Sequence, residues 1–484
     1  MTRLHDLTAL EQAAAVRAKE ISPTELVEHY LARIDALDAE LGAFLTVTAD
    51  RARTGARAAE ERLRAAGEPP PLLGVPTAIK DLNNTAGVRT TFGSRVTADF
   101  VPEVDDAVVT ALAAAGTISL GKTNTPEFGF PCYTDNDLAG PARCPWDPSR
   151  LAGGSSGGAA VAVAAGLVPF AQGSDGGGSI RIPASINGLF GIKPTRGRVS
   201  SAPLGAEITG LGTSGPLART VRDAAALLDV MAGPVAGDPY WAPPLPAGET
   251  FLGCAERPVG RLRIGRFLES AMPDVELAPE VAAAFDDAAR LLEELGHEVD
   301  DVPRGLLGPD VLGSFEQVWS LSGTLLPVPP DREGELRPLT RVLRDRGLAL
   351  SAQDAMAAMA ELRLFSRRFV VATAGYDVLL APITTMTPRP LGWFDAGGDG
   401  AADFERQKRY AAFTAVFNVT GQPAVSVPLH WTDDDLPVGT MLVGRPADEA
   451  TLIALSAQLE AARPWAQRHP PAWDRDASPG GSAG

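Results

Sequence analysis

The spacing of hydrophobic residues near the N-terminus predicts a helical start to the chain. Residues 22–25 read Ser-Pro-Thr-Glu, a capping box with proline at the first helical position. Leu26, Tyr30, Ile34 and Leu37 then follow at the spacing of one helix face. The N-terminal tenth of the chain is therefore predicted to be helical.

The same reading, applied to the rest of the sequence, predicts strands and helices that alternate. Helical spacing predicts further helices over 49–66, 105–115, 179–187, from the capping box at 220–223 onward, 279–295, 352–374 and 447–461. Short apolar runs predict strands over 72–82, 117–120, 262–267, 298–302 and 377–382, and a hairpin that pairs 424–431 with 439–444 around the turn TDDDLP. This alternation indicates a layered α/β fold with a central mixed sheet.

The domain organisation follows from length and from changes in character along the chain. At 484 residues the chain could hold about three average domains, but enzymes of this size also fold as one large unit. We expect a single domain over 1–475. Within it we expect N-terminal helices over 1–66, a catalytic core over 72–235 and an irregular helical region that shapes the substrate pocket over 306–410. A disordered tail is expected over 476–484.

Composition narrows the classes of function. With 45% hydrophobic and 21% charged residues, and no apolar run near the length of a membrane span, the sequence is typical of a globular protein without a membrane segment. The net charge of −17 argues against binding to nucleic acid. The three cysteines lack metal-ligand spacing and are expected to be free thiols. The N-terminus lacks a secretory segment, which predicts a cytoplasmic location. No cofactor or metal is indicated, and a homodimer remains open.

Two glycine-rich serine loops lie between Gly153 and Arg196, and the rest of the chain is interpreted around them. They read GGSSGG over 153–158 and SDGGGS over 174–179. Glycine at this density is costly to order, so its presence indicates unusual dihedral angles or a close approach of the backbone to another group. The apolar runs AAVAVAAGLVPF and INGLFGI in the same segment argue against a flexible linker.

Residues 116–123, GTISLGKT, match the phosphate-binding pattern GxxxxGKT. In that motif a strand precedes the loop and a helix begins at the Lys-Thr pair. Here the order is reversed, because the helix-like DDAVVTALAAAG precedes the segment and strand-like sequence fills it, while Pro126 disfavours a following helix. The context therefore argues against a nucleotide site.

Lysine is a better candidate base than histidine. The five histidines are scattered, most are expected at the surface, and neither serine loop contains the GxSxG elbow of a Ser-His-Asp hydrolase. Lys80 ends the apolar run LLGVPTAI, where burial would lower its pKa and leave a neutral amine that accepts protons. The alternative is a solvated lysine paired with Asp81, and the spacing leaves both interpretations open.

Ser179 follows three glycines at the predicted start of a helix. Free backbone N–H groups in such a turn point into one small volume, which is what an oxyanion hole requires. The alternative is an anion or phosphate nest that uses the same amides. Asp175 weighs against that alternative, because a fixed carboxylate repels phosphate unless Arg181 neutralises it.

The chain resembles the amidase signature hydrolases in a series of long motifs. They are GVPTAIKD around Lys80, GKTNTPEFG over 121–129, PWDPSRLAGGSSGG up to 158, GSDGGGSIRIPAS over 173–185, GLFGIKPTRGRVS after it, DVLLAP, and FNVTGQPAVSVPL over 417–429. The resemblance spans most of the chain. It implies the amidase signature fold, a twisted mixed central sheet covered by helices on both faces, and hydrolysis of a carboxylic amide through a seryl acyl-enzyme.

The resemblance also carries the family's Ser-Ser-Lys triad onto this sequence. It makes Ser179 the nucleophile, Ser155 the bridging serine with a cis peptide bond, and Lys80 the final base. Because Lys80 must be neutral to act, activity is expected to rise toward alkaline pH.

The supporting residues follow in the same way. The oxyanion hole would consist of four backbone N–H groups, those of Gly176, Gly177, Gly178 and Ser179. Ser156 would support Lys80 by a hydrogen bond, and Asp175 and Arg181 would brace the loop.

Two departures from the family pattern bear on the substrate. Gly176 stands where many members carry a larger residue, which would open or loosen the oxyanion turn. Phe130, Pro131 and Cys132 make the predicted acyl pocket bulkier and more apolar than in many members, so a hydrophobic or compact substrate is expected.

Three functions remain open within this resemblance, all with a small-molecule amide as substrate or ligand. The first is a stand-alone amidase on small carboxylic amides. The second is hydrolysis of a cyclic amide, because the motifs are similar to those of 6-aminohexanoate cyclic-dimer hydrolases. The third is the glutaminase subunit of a tRNA-dependent amidotransferase, which SIRIPA and the divergent segment 130–132 disfavour. A non-catalytic binding protein would be expected to have lost a triad residue, whereas this chain retains all three.

Overall fold

The computed structural model describes residues 3–65 and 67–475. Its α-helices are α1 Ala9–Ala18, α2 Pro23–Leu41, α3 Ala49–Arg64, α4 Ala107–Ala114, α5 Gly157–Ala164, α6 Arg181–Asn187, α7 Val221–Met231, α8 Phe251–Cys254, α9 Pro279–Glu294, α10 Val311–Thr324, α11 Pro338–Ala349, α12 Ala352–Ala372, α13 Gly400–Tyr410, α14 Val416–Thr420 and α15 Glu449–Ala462. Its strands are β1 Phe44–Val47, β2 Pro76–Lys80, β3 Ile118–Thr123, β4 Arg143–Cys144, β5 Asp147–Leu151, β6 Phe170–Asp175, β7 Phe190–Lys193, β8 Thr213–Ala218, β9 Arg263–Arg266, β10 Glu298–Asp301, β11 Val378–Pro382, β12 Ala424–Trp431 and β13 Pro437–Gly444.

A mixed eight-stranded sheet forms the centre of the molecule. Its strand order is β10-β9-β11-β13-β12-β7-β8-β6. The pairs β10/β9 and β9/β11 are parallel, and the remaining pairs are antiparallel. The predicted hairpin is confirmed, since β12 pairs antiparallel with β13.

Alternate residues of β11 show that both faces of this sheet are covered. Val378 and Leu380 belong to one hydrophobic cluster, which also contains residues of α7, α9 and α15. Leu379 and Ala381 belong to a second cluster, with residues of α10, α12 and α14. Because successive strand residues point to opposite faces, helices pack on both sides of the sheet. The predicted fold class is confirmed.

A smaller sheet positions Lys80 beside the edge of the central one. In this sheet, of order β1-β3-β2, β2 pairs parallel with β3 and β1 antiparallel with it. The backbone N–H of Lys80 donates to Gln172 Oε1 at 2.9 Å, and Thr77 Oγ1 donates to the carbonyl of Phe170 at 3.3 Å. Side chains therefore join β2 to β6, the strand that leads into the second glycine-rich loop.

Local sequence signals explain where α2 begins and ends. The Ser22 hydroxyl accepts from the N–H of Glu25 at 3.1 Å, while the Glu25 carboxylate accepts from the N–H of Ser22 at 2.7 Å. These reciprocal bonds are the predicted capping box. The helix ends at Gly42, whose positive φ of 64° closes the last turn.

Several boundaries differ from the sequence predictions, and two helices were not located from residue spacing. The strand expected over 72–82 covers only β2, and the helix expected from Ser179 begins at Arg181. In the region 306–410, predicted to be irregular and helical, α10 and α11 precede the one helix, α12, whose position the sequence indicated. Glycine and proline content hid α10 and α11, since the helical period is interrupted between 305 and 338. The predicted disordered tail, 476–484, lies outside the described residues.

Candidate active site

Lys80 is fully buried at the end of β2, with a relative exposure of 0%. Its Nζ lies 2.7 Å from Ser155 Oγ and 2.9 Å from Ser156 Oγ, and the hydroxyl of Ser174 lies 3.1 Å away. Burial lowers the pKa of Lys80 to about 7, against the opposing charge of Asp175. The structure therefore holds a lysine amine that loses its proton near neutral pH, surrounded by three hydroxyl groups.

Asp81 pairs with Lys122 and not with Lys80, so the alternative of a solvated Lys80 paired with Asp81 is wrong. Asp81 Oδ1 lies 3.4 Å from Lys122 Nζ, and Asp81 Oδ2 accepts from the N–H and hydroxyl of Thr91 at 2.8 and 2.6 Å. Both members of this ion pair are buried. The lysine of the GKT segment therefore lies on a strand and neutralises Asp81, as the argument against a nucleotide site requires.

The first glycine-rich loop holds Ser155 and Ser156 at the N-terminal end of α5. The Gly154–Ser155 peptide bond is cis, as the resemblance implies. A side chain at Gly154 has no room, because its Cβ would lie 2.5 Å from the carbonyl carbon of Tyr133. Ser156 Oγ donates to the carbonyl of Ser174 at 3.0 Å and accepts from its N–H at 3.2 Å. These two hydrogen bonds join the first loop to the end of β6, where the second loop begins.

Ser179 ends the second loop and is 8% exposed. Its carbonyl accepts from the N–H of Ser156 at 3.2 Å, so the backbones of the two loops are joined. Within residues 3–65 and 67–475, no hydrogen bond links the hydroxyls of Ser155 and Ser179. The two serines lie on adjoining loops, but only Ser155 contacts Lys80.

Three backbone N–H groups of the second loop are available to a ligand. No acceptor among the described residues takes a hydrogen bond from the N–H of Gly176, Gly177 or Ser179. The N–H of Gly178 differs, because it donates to Asp175 Oδ1 at 2.7 Å. This bond removes Gly178 from the four oxyanion donors that the sequence predicted and gives it a role in shaping the turn.

Gly178 is a glycine because the turn requires it. Its φ of +134° lies in the region that favours glycine, and a Cβ there would lie 2.5 Å from Thr414 Oγ1. The Thr414 hydroxyl in turn donates to the carbonyl of Gly177 at 2.5 Å. The turn is therefore held from both sides, by Asp175 and by Thr414.

A buried ion pair braces this turn. Arg181 Nε and Nη2 donate to the two Asp175 oxygens at 3.0 and 2.9 Å, and both side chains have 0% exposure. Burial acts to raise the pKa of Asp175, but the charge and hydrogen bonds of Arg181 outweigh it and hold the pKa below its ordinary value. Asn418 completes the group, since Nδ2 donates to Asp175 Oδ1 at 2.9 Å and Oδ1 accepts from Arg181 at 2.7 Å.

A largely apolar cavity opens beside Ser179. It is lined by Phe130, Cys132, Gly177, Ser179, Ile182, Ala271, Met272, Val311, Leu312, Phe315, Trp319, Phe404, Gln407, Lys408, Ala411, Ala412, Ala415, Val416 and Val419. Of the three residues predicted from the sequence to form the pocket, Phe130 and Cys132 line it, whereas Pro131 is buried and does not. Helices α10 and α13, from the region expected to shape the pocket, supply much of the wall.

The polar residues of this cavity are bonded to neighbouring protein groups. Gln407 accepts from the N–H of Cys132 at 2.9 Å and donates to Asp403 at 2.8 Å. Lys408 pairs with Glu316 at 2.5 Å and with Glu405 at 2.6 Å. Because these groups satisfy one another, the cavity is suited to an uncharged, hydrophobic group.

None of the five histidines joins this site; most were expected at the surface, and two of them are buried. His5 and His297 are buried, and the other three are half-buried. His5 Nδ1 lies 2.9 Å from His29 Nε2, and His297 bonds to Gln458 at 2.8 Å. These hydrogen bonds link parts of the fold and do not involve Lys80, Ser155 or Ser179.

Sequence reasoning missed four residues that complete the site: Gln172, Ser174, Trp319 and Asn418. Ser174 and Gln172 lie in or next to a quoted motif, and Asn418 lies inside FNVTGQPAVSVPL, but only the folded chain brings them to Lys80 or Asp175. Trp319 lies in a region without a recognisable motif. A signal for Asn418 was present, because a polar residue within an apolar motif requires hydrogen-bond partners when it is buried.

Fold and site together define an enzyme that hydrolyses amides. A mixed sheet covered on both faces lies beside a smaller sheet that ends in the buried Lys80, whose pKa burial lowers to about 7. Two glycine-rich serine loops place free backbone donors beside an apolar cavity.

Comparison with known proteins gives the family. The amidase family model matches residues 25–453, and the chain belongs to this family. It is 41% identical to AmiB2 of Mycobacterium tuberculosis, which bears the name of an amidase, over 96% of this chain and 97% of that protein. It is 37% identical to 6-aminohexanoate-cyclic-dimer hydrolase of Paenarthrobacter ureafaciens, over 96% of each. The structure of 6-aminohexanoate cyclic dimer hydrolase with substrate superposes with a TM-score of 0.89 at 33% identity, covering 98% of this chain and all of the other.

These findings make the chain an amide-cleaving hydrolase of a family in which a Ser-Ser-Lys triad and a seryl acyl-enzyme are general. In the part of the chain that the structure describes, no helix combines the length and apolar character needed to cross a membrane.

Proposed function

We propose that the protein hydrolyses an uncharged, hydrophobic carboxylic amide, with Ser179 as nucleophile, Ser155 as proton carrier and Lys80 as base. The observation that carries this proposal is the contact of 2.7 Å between a fully buried Lys80 Nζ and Ser155 Oγ. A neutral amine at this distance accepts a hydroxyl proton without a histidine. Ser156 holds the amine from a second side at 2.9 Å.

The first chemical step forms the acyl-enzyme. Ser179 Oγ attacks the amide carbonyl carbon while its proton passes to Ser155, whose own proton passes to Lys80. The carbonyl oxygen becomes an oxyanion that accepts from the free N–H groups of Gly176, Gly177 and Ser179. This step requires the Ser179 hydroxyl to turn toward Ser155, a contact that commonly tightens only when substrate is bound.

The second half of the reaction returns the proton. Protonated Lys80 gives its proton back through Ser155 to the amide nitrogen, the C–N bond breaks, and ammonia or an amine departs. A water molecule then gives a proton to the same relay and attacks the ester of Ser179, which releases the carboxylate product and restores the serine.

The acyl group is assigned to the apolar cavity. The leaving nitrogen must face Ser155 to receive its proton, and Ser155 does not line the cavity, whereas Ser179 and Gly177 do. The acyl group therefore extends from the carbonyl into the cavity, toward Phe130 and Cys132.

Reaction with a fluorophosphonate probe tests the nucleophile. We expect peptide mass spectrometry to find the label on Ser179, and the Ser179→Ala variant to lose both the label and the release of amine from aliphatic, aryl and cyclic amides. The control is Ser174→Ala, which removes a different hydroxyl next to Lys80 and should leave the labelling site unchanged. Labelling of Ser155 in the wild type would reverse the assigned roles of the two serines.

The dependence of activity on pH tests the base. Because burial lowers the pKa of Lys80 to about 7 and the neutral amine is the active form, kcat/KM should rise about tenfold from pH 6 to pH 7.5 and level off above pH 8. The measurement is a pH–rate profile of kcat/KM in buffers of constant ionic strength. A rate that falls steadily from pH 6 to 9 would contradict the assignment of Lys80.

A cyclic amide is a second candidate substrate within the same chemistry. The similarity to 6-aminohexanoate-cyclic-dimer hydrolase over 96% of both chains favours it. Incubation with the 6-aminohexanoate cyclic dimer and chromatography of the products separates the two candidates. Appearance of the linear dimer supports ring opening, whereas turnover of open-chain amides alone supports a stand-alone amidase.

We propose that the enzyme acts in the cytoplasm on small molecules rather than on nucleic acids. The net charge of −17 and the three free cysteines support this assignment. We also propose that residues 1–475 form a single domain. The support is that one central sheet contains all eight strands from β6 to β13.

A further inference from the structure

Gly176 and Trp319 compete for one region of space at the oxyanion turn. A Cβ built on Gly176 would lie 3.4 Å from both Cη2 and Cζ3 of the Trp319 indole. The backbone of Gly176 does not have the positive φ that requires glycine. A methyl group there would rest on the indole in ordinary contact, so a longer side chain that extends toward Trp319 has no room. Trp319, rather than the backbone conformation of the turn, therefore limits how long a side chain at position 176 can be.

Trp319 is held as a fixed wall by two other aromatic rings. It lies on α10 and stacks on Phe315, with ring centroids 5.6 Å apart and an interplanar angle of 19°. Phe130 meets it edge to face at 5.7 Å and 82°. Such aromatic pairs restrict the orientation of a ring beyond what burial alone does. The indole therefore presents a rigid flat surface to the cavity beside Gly177 and Ser179.

We propose that Gly176 and Trp319 form a specificity-determining pair that selects flat, uncharged acyl groups. The indole stands where a longer side chain at 176 would extend, and its face becomes the wall against which the acyl group packs. Arylacetyl groups match this wall, because aromatic rings stack on or meet a tryptophan favourably. The proposal rests on the proposed function, since it requires the acyl group to enter this cavity.

The first experiment holds the leaving group constant and varies the acyl group. We expect the wild type to prefer phenylacetyl p-nitroanilide over acetyl p-nitroanilide in kcat/KM, and Trp319→Ala to lower this preference about tenfold. The matched control is Trp241→Ala, since Trp241 is 71% exposed and does not line the cavity. An unchanged preference in Trp319→Ala would overturn the proposal.

The second experiment tests whether the two residues share one space. Gly176→Leu should lose most activity, and the double variant Gly176→Leu with Trp319→Ala should recover at least tenfold of that loss. Thermal melting of each variant separates a folding defect from a kinetic one. A loss of equal size in both backgrounds would contradict a shared space.

A binding measurement keeps this proposal separate from the proposed function. If the wild type cleaves no anilide and its Ser179 is not labelled, the catalytic assignment fails, but the pair is still tested by calorimetry with phenylacetamide and acetamide. Phenylacetamide should bind the wild type about tenfold more tightly than Trp319→Ala, with acetamide unaffected. Equal affinities of the two proteins for phenylacetamide would overturn the proposal.

Discussion

Replacing Lys80 by methionine is expected to lower kcat/KM by about 10⁴-fold. Methionine is similar in length and apolar, so it fills the space of the lysine in a site that is already fully buried. It cannot accept the proton of Ser155, which lies 2.7 Å from Lys80 Nζ in the wild type. The measurement is single-turnover and steady-state amide hydrolysis at pH 8, where the wild-type amine is neutral.

The same variant should be more stable than the wild type near neutral pH. Burial lowers the pKa of Lys80 from 10.5 to about 7, a cost to the folded state on the order of 5 kcal/mol when the unfolded lysine is charged. Between about pH 7 and pH 10.5 the unfolded wild type binds more protons than the folded one, so wild-type stability rises with pH in this window. The stability advantage of Lys80→Met is therefore largest at or below pH 7 and shrinks toward pH 10.

Lys193→Met is the matched control for Lys80→Met, both in amide hydrolysis and in the free energy of unfolding. Lys193 is also buried, burial lowers its pKa to about 7, and its Nζ donates to the carbonyl of Pro194 at 3.0 Å rather than to a serine of the site. It should show a similar pH-dependent gain in stability but keep kcat/KM within about threefold of the wild type. Urea unfolding of all three proteins at pH 6.5 and pH 9.5 gives the comparison. Equal activity losses in the two variants would remove the special role of Lys80.

The sequence predicted the parts of the fold and site that depend on local patterns. The capping box at Ser22, the hairpin of β12 and β13 and the mixed sheet each follow from residue spacing or turn chemistry. The environment of Lys80 could not be predicted from the sequence. Residue spacing alone does not distinguish a buried lysine from a solvated lysine paired with Asp81. That choice depends on Lys122, which is 41 positions further along the chain and reaches Asp81 only through the pairing of β2 with β3.

The features that the sequence did not predict come from contacts between distant segments. The N–H of Gly178 points to Asp175, a detail of turn geometry that glycine composition does not specify. Asn418 and Thr414 reach the turn from more than 230 positions away, and Trp319 comes from a segment without a motif. Catalytic residue types can thus be read from a motif, whereas the shape of the cavity depends on tertiary packing.

Asp175→Asn is expected to lower the free energy of unfolding by about 3 to 5 kcal/mol and to reduce kcat/KM of the protein that remains folded by at least tenfold. The substitution keeps the size of the side chain but leaves the guanidinium of Arg181 buried without its counter-charge. It also weakens the acceptor for the N–H of Gly178, which orients the turn that carries Gly176 and Gly177. Urea unfolding at pH 8 and active-site titration with a fluorophosphonate measure the two effects separately.

A second buried ion pair provides a control for this variant. It separates a loss of stability from a disturbance of the active site. Arg198 donates to both carboxylate oxygens of Glu449 at 3.1 and 3.0 Å, and the pair is almost fully buried. Glu449→Gln should lower stability by a similar amount, since it also leaves a buried arginine unpaired, yet it should keep kcat/KM per active site unchanged. If Asp175→Asn behaves in the same way, the ion pair stabilises the fold without shaping the oxyanion turn. If only Asp175→Asn loses activity, the Asp175 carboxylate holds the N–H groups of Gly176 and Gly177 in the orientation that catalysis needs.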